Sequence, residues 1–444
     1  MAGPSPARLA AASAVADVAR DFPDLEPVEE ALGHLSARDR SLALAILRCT
    51  LQRWLTLRWI VNRHARGGFD RLEPAMKGVL LTGAAQALFM DGIPDHAVVS
   101  EAVDLTRKLV GHKATGMANA IMRRICELAD HRDDESWEPH PARLPAERGT
   151  MHLTDAVLPP LKEWDRYLEV ATSTPLELVE RWSQRFKEST VVDLCHHGVQ
   201  TPPILVAVEA DFDASSAEDV EVHEQAGYVV YRGSDLVGFL EGHSDRRVQD
   251  PTAALPIQRC MDIAPDRIID FCAGVGTKTA QLRRHLPEAR VIASEPHEGR
   301  RDVLQEAFSE DAHVAVAGPG QAMAIAGDQK ADLVVVDVPC SNTGVLARRP
   351  EARYRFNETS LASLITLQRE ILAEAVTMVR EGGHLLYTTC SLEPEENTGQ
   401  AAWLGEQHGA ILERDKLTLP GGEGATWHDG GYFALLAIGA DIGG

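Results

Sequence analysis

Apolar positions in the first third of the chain recur every three to four residues: Leu42, Leu44, Ile46 and Leu47, then Leu51, Leu55 and Leu57, then Val79, Leu80, Leu81, Ala85 and Leu88. That spacing predicts helices from about residue 6 to 128, broken at Gly67-Gly68, Gly92-Ile93-Pro94 and Gly111, where glycine and proline favour turns. An all-α domain over 1–130 is therefore expected. The charged, proline-containing stretch 131–154 offers little to bury and reads as a linker. Residues 155–245 combine a helical pattern near 175–186 with short apolar runs at 203–208 and 228–231, and predict a small α+β middle module.

From 246 to 444 the period changes. Apolar runs at 267–269, 291–293, 314–316, 333–336, 385–387 and 433–438 alternate with helical patterns near 278–286, 298–308, 361–380 and 395–407. Alternation of this kind predicts a mostly parallel, doubly wound α/β sheet, which binds ligands in the crevice beyond the carboxyl ends of its strands.

A chain of 444 residues has room for two or three such domains. It has no apolar run of about 18 residues and no signal-peptide-like start, so a soluble, cytoplasmic protein is expected, without a membrane partner. Seven cysteines, an odd number, read as reduced thiols. The net charge of −22 argues against a polyanionic partner, yet residues 1–127 carry 16 basic and 14 acidic side chains, so the acidity lies downstream. A polyanion could meet Arg53, Arg58, Arg63, Arg66, Arg71, Arg123 and Arg124, with a solvated helix surface as the equal alternative. Cys195-His196-His197 does not form a metal set, because adjacent side chains diverge and no second ligand pair has suitable spacing. No metal is expected, and no oligomer is implied.

The chemistry concentrates in three blocks. Asp337-Val338-Pro339-Cys340-Ser341-Asn342-Thr343-Gly344 follows one predicted strand, and Thr388-Thr389-Cys390-Ser391 follows another. A single free cysteine is most often core, but two at strand ends over a ligand crevice suggest thiol chemistry. The turn Asp270-Phe271-Cys272-Ala273-Gly274-Val275-Gly276-Thr277-Lys278 opens the first helix of the sheet, and Glu295 ends the next strand. That pairing suits close backbone approach to any nucleotide cofactor and to its ribose hydroxyls, although a glycine-rich strand-to-helix turn is equally common as plain structure. Cys49, Cys126, Cys260 and Cys272 read as structural.

These blocks, with Val248-Gln249-Asp250, Arg348-Arg349-Pro350-Glu351, Arg353 and Glu395-Glu396-Asn397, resemble the RNA 5-methylcytosine methyltransferases of the Nol1/Nop2/Sun family. Asp39-Arg40 to Arg48, Gly83-Ala84-Ala85-Gln86, Ile93 to Val99 and Asn119 to Arg124 are similar to the NusB-like helical domain that bacterial 16S rRNA cytosine-C5 methyltransferases carry. The resemblance implies a Rossmann-like methyltransferase domain using S-adenosylmethionine (SAM), held by residues 270 and 272–278, Glu295 and Asp337. It implies Cys390 as nucleophile, Cys340 as helper in product release, Asp337 on the base edge, and Lys278 and Arg353 near the RNA. A helix starting just after Cys390 would help its thiolate form. The expected partner is RNA, 16S rRNA before tRNA.

Three departures from the family pattern qualify that expectation. Val275 and Thr277 replace a Pro and a Gly, Pro319 stands where an Asp usually meets the adenine amino group, with Asp328 too near the next strand to substitute, and Val206-Ala207-Val208 replaces Arg-Val-Asn. They leave room for an alternative, a catalytically weakened relative serving as an RNA-binding assembly factor. Retention of both cysteines, Asp337 and Glu295 favours the enzyme.

Overall fold

The computed structural model describes residues 3–439 except 24, 26–31, 34, 210, 244, 245 and 328. The chain forms two compact units, Met1–Thr201 with Leu346–Asn357, and Pro202–Val345 with Glu358–Gly444.

In the first unit, helices span Pro6–Asp21, Ala37–Gln52, Trp54–His64, Pro74–Phe89, Asp95–Leu109 and Thr115–Leu128. Pro6 and Pro74 open their helices at the position where a missing N–H leaves nothing unpaired. The Ser36 side chain caps the second helix by accepting from the Asp39 N–H at 3.2 Å. Helix Pro74–Phe89 is apolar on nearly all sides and forms the centre of this unit. Helix Pro6–Asp21 lies so close to it that a Cβ on Gly78 would sit 2.3 Å from the Ala12 carbonyl oxygen.

The stretch expected as a linker is instead folded. Strands β1 (Ala129–Asp133), β2 (Arg143–Pro145) and β3 (Thr150–Leu153) form an antiparallel sheet in the order β1-β3-β2. Leu144, Met151, Leu153 and Trp137 are buried there, so a few well-placed apolar side chains outweigh the charged majority. Helices Trp164–Thr172, Leu176–Ser183 and Glu188–His197 belong to the same unit, which divides the expected middle module. Of the seven arginines considered for a polyanion, Arg53 is buried, donating to the carbonyls of Pro145 and Val199, and Arg58 pairs with Asp70 at 3.0 Å. Arg63, Arg66, Arg71, Arg123 and Arg124 are exposed. Burial first, then the charges of Arg124 and Arg63, hold His64 below the ordinary imidazole range.

Helix Ala352–Arg355 joins this unit from far along the chain and carries Arg353, which is fully buried. Its guanidinium donates to the carbonyls of Gly198 and Leu346, the latter at 3.1 Å, and more distantly to Gln52, Thr172 and Ser173 at 3.4 Å.

In the second unit, β4 (Ile204–Ala207), β5 (Val220–Val222), β6 (Tyr228–Tyr231) and β7 (Arg247–Val248) form a sheet in the order β5-β6-β4-β7. Val206 and Val208 pack against Val229 and Tyr231, so the departure at 206–208 fills a small core. The main sheet contains β8 (Arg267–Asp270), β9 (Arg290–Ser294), β10 (Val314–Ala317), β11 (Ala331–Asp337), β12 (Val379–Thr389), β13 (Ile411–Thr418) and β14 (Gly431–Ala437). Its order is β10-β9-β8-β11-β12-β14-β13, parallel except for β14, which runs antiparallel to both neighbours. Residues 333–336 and 385–387 are completely buried, as continuous apolar runs are when helices cover both faces. Thr277–His285, Glu298–Ala307, Glu358–Met378 and Thr398–His408 are the four expected helices. The order reverses between β8 and β11, which puts the switch-point crevice at the ends of those strands.

Arg353 leads to a stability prediction. Arg353→Ala strands several buried carbonyls, so it is expected to lower unfolding free energy by about 2–4 kcal/mol, whereas exposed Arg123→Ala changes it by less than about 0.5 kcal/mol. Urea titration of both variants checks this, and equal small effects would contradict it.

Candidate active site

Adjacent parallel strands β11 and β12 end side by side, in register from Leu333 opposite His384 to Asp337 opposite Thr388. Each continues into a cysteine loop, and the register brings Cys340 Sγ to 3.2 Å from Cys390 Sγ. Cys390 also contacts Asn342 Oδ1 at 3.2 Å, and Asn342 adopts φ +61°, a conformation its short amide tolerates while donating to the Cys340 carbonyl at 2.8 Å. Gly344 fits between the loops: its N–H donates to the Cys390 carbonyl at 2.9 Å, and a Cβ there would lie 2.7 Å from Gly430 C.

The two thiols differ in surroundings. Cys390 lines a cavity of about 140 Å³ together with Lys278, Asp337, Thr388, Lys416 and Asp429. Cys340 is buried beside it, and its hydrogen bond to Cys390 and its burial raise its pKa well above the usual thiol range. The Lys278 ammonium donates to Asp337 Oδ2 at 2.6 Å, while Asp337 Oδ1 accepts from Thr388 Oγ1 at 2.7 Å. Burial alone would lower the Lys278 pKa, but the charge of Asp337 outweighs it with help from Asp270 and Cys390, so lysine stays cationic. The helix expected just after Cys390 begins only at Thr398, so the cation near the thiol is Lys278, not a helix terminus.

One buried carboxylate fastens both loops. Glu396 accepts from Ser341 N at 2.9 Å, from Ser341 Oγ, from Ser391 Oγ at 2.5 Å and from Gln368 Nε2 at 2.9 Å. Gln368 also donates to the Pro339 carbonyl at 2.9 Å, and Asn397 bridges Thr389 Oγ1 and the Ser391 carbonyl. The block Glu395-Glu396-Asn397 flagged part of this in sequence. Gln368, Lys416 and Asp429 carried no motif and were missed.

At the neighbouring end of the crevice, the turn after β8 takes positive φ at Gly274 (+60°) and Gly276 (+92°). A Cβ on Gly276 would strike Phe308 and Leu304, whereas nothing lies within 4 Å of one on Gly274, leaving its backbone open to a ligand. Glu295 Oε2 accepts from Gly274 N–H at 2.9 Å, and its Oε1 accepts from His297 N–H at 2.8 Å and faces Arg300 at 2.9 Å. Asp270 is wholly buried; Oδ2 accepts from Thr279 Oγ1 at 2.7 Å, and Oδ1 has no partner among the described residues. Burial pushes Cys272 upward, and Val275 and Thr277 sit on the outer side of the turn. An open glycine edge, a buried carboxylate with a spare acceptor and an acidic residue at the next strand end fit a nucleoside with a cationic group. After β10, Gly318 N–H is taken by Gln321 Oε1 at 3.0 Å, and Pro319 adds no acceptor. Asp328 lies outside the described residues. Arg353, expected near RNA, is instead fully buried in the first unit, its two terminal nitrogens on backbone carbonyls and its Nε without a partner among the described residues but closed off from solvent.

Residues 262–425 match the family of 16S rRNA methyltransferases RsmB/F, and residues 5–127 match the NusB family. The chain is similar to Ribosomal RNA small subunit methyltransferase B of Vibrio cholerae, 28% identical over 367 residues, covering 81% of this chain and 80% of the relative. The protein of the same name from Yersinia pseudotuberculosis is 26% identical over 431 residues, covering 93% and 94%. The crystal structure of PH0851 shares the fold, with a TM-score of 0.68 at 19% identity, over 98% of this chain and 100% of that one. No helix among the described residues is long and apolar enough to cross a membrane.

The buried Asp270 makes stability depend on pH. Burial raises its pKa to about 6, from about 4 in an unfolded chain, so folding favours the protonated form. Its contribution is fully present below about pH 4 and is lost by about pH 6. Relative to Asp270→Asn, which stays neutral, the wild type should lose up to about 3 kcal/mol between those limits and stay level above them. Urea midpoints of both proteins at low and neutral pH measure this; a wild type that gains on the variant as pH rises would refute it.

Proposed function

The chain belongs to the 16S rRNA methyltransferase RsmB/F family with a NusB-family domain, and on that premise we propose that it methylates C5 of a cytosine in 16S rRNA through a covalent Cys390 adduct. The carrying observation is the paired thiols, of which Cys390 lines the cavity shared with Lys278 and Asp337.

Cytosine C5 is a weak nucleophile, and addition of a thiolate to C6 turns it into an enamine carbon. The Cys390 sulfur forms the S–C6 bond while the C5–C6 π pair moves toward C5. SAM, when bound, would supply the electrophilic methyl group that C5 takes, the S–CH3 pair staying on sulfur as the neutral thioether S-adenosylhomocysteine. Loss of the C5 proton to solvent then restores the double bond and expels Cys390 as thiolate. Lys278 stabilises negative charge at Cys390, and Cys340, kept protonated, donates a hydrogen bond to the departing sulfur. Asp337, anchored by Lys278 and Thr388, accepts from the exocyclic amino group and so selects cytosine over uracil. Gly274 and Gly276 would hold the cofactor through the turn after β8, Glu295 would take its ribose hydroxyls, and Asp270 would favour its cationic group. The base reaches this cavity only out of its stack. Exposed Arg63, Arg66, Arg71, Arg123 and Arg124 supply phosphate contacts in the helical unit.

The thiol roles separate on a denaturing gel with substrate RNA and SAM. Cys390→Ala should abolish both methylation and adduct, while Cys340→Ala should accumulate a protein–RNA complex that survives denaturation. A trapped complex from Cys390→Ala alone would reverse the roles, and normal turnover in both variants would remove the thiols from the mechanism.

A further inference from the structure

Strands β1 and β3 pair antiparallel, with Asp133 opposite Thr150 and Arg132 opposite Met151. His131 and Asp133 are alternate residues of β1 and therefore share a face, which His152 joins from β3. The two imidazoles stack 4.4 Å apart with 6° between their planes. His152 Nε2 lies 2.7 Å from Asp133 Oδ2, and one donor atom from each of the three residues lies within 4.8 Å of the other two. Outer contacts orient two of them: Asp130 Oδ2 is 3.0 Å from His131 Nδ1, and the Glu135 N–H donates to Asp133 Oδ1 at 3.1 Å.

We propose that His131, Asp133 and His152 bind one divalent transition-metal ion, zinc by the chemistry of its ligands, which clamps β1 to β3. Two imidazole nitrogens and one carboxylate oxygen are a zinc donor set that leaves a fourth position for water. Asp130 engages Nδ1 of His131 and so leaves Nε2 for the metal, the arrangement by which outer carboxylates fix a ligand's tautomer. His131 is the exposed member of the set, and drawing the donors to bonding distance requires its ring to move off the His152 stack. Asp133 also borders an open cavity lined by Asp91, Asp134 and Glu147 together with Arg132 and Arg148, of which Arg132 pairs with Asp91, so the set is reachable from solvent. Sequence reading found no metal because the ligands come from two strands and match no spacing motif.

Zinc titration of the chelator-treated full-length protein, by calorimetry and elemental analysis, tests the site. The wild type and Cys340→Ala/Cys390→Ala should both bind zinc at this site, while His131→Ala and His152→Ala should each lose one equivalent. Asp130→Asn should weaken that equivalent by about tenfold or more. Zinc should raise the Tm of the wild type and not that of His131→Ala, whose exposed side chain supports no core. Zinc uptake unchanged by both histidine substitutions, or lost only with the thiols, would overturn the proposal.

Discussion

The active geometry depends on the Glu396 carboxylate. It is wholly buried, and burial raises its pKa, so the fold must offset a desolvation cost. It does so with donors from the Cys340 loop, the Cys390 loop and helix Glu358–Met378 at once. The loops' shared acceptor fixes their separation, and with it the 3.2 Å between sulfurs. A neutral or shorter residue at 396 would leave the strands in register but the loops without a common anchor.

Around that anchor the sheet sorts charge by position. Asp270, Glu295 and Asp337 end three strands, and only one of them has a buried cation as partner. Asp337 is paired with Lys278, Glu295 is held by backbone N–H groups and an exposed arginine, and Asp270 keeps an acceptor without a partner among the described residues. A buried carboxylate left partly unsatisfied destabilises the folded chain, and such strain tends to collect where a ligand later completes the bonding. Lys278 reaches both the carboxylate and the Cys390 side of the crevice and links the glycine turn after β8 to the thiols.

The parts of the fold readable in sequence are those where function and local structure coincide. Leu333–Val336 and the turn at Gly274 each combine a strand signal with a motif at its end, so strand, turn and candidate chemistry appear together. Strand β13 escaped notice because an edge strand with the sequence Ile-Leu-Glu-Arg-Asp-Lys-Leu-Thr is largely exposed and lacks an apolar run. The sheet of β1 to β3 was hidden by its charge, since its burial rests on a few residues whose pairing is non-local. Arg353 shows a different limit: a motif arginine reads as a ligand contact, and only tertiary structure reveals that it is buried with its two terminal nitrogens on backbone carbonyls. Gln368 was invisible for the same reason, as a helix-face glutamine far in sequence from the loops it supports.

The central claim is that the cavity-lining thiol of the pair, Cys390, attacks the base. RNA carrying 5-fluorocytosine at the target position cannot lose its C5 substituent, so the adduct persists after methyl transfer. Incubation of the unmodified protein with that RNA and SAM, followed by digestion and mass spectrometry of the cross-linked peptide, reports which sulfur is bound to C6. The nucleotide is expected on Cys390; a cross-link on Cys340 would contradict the account.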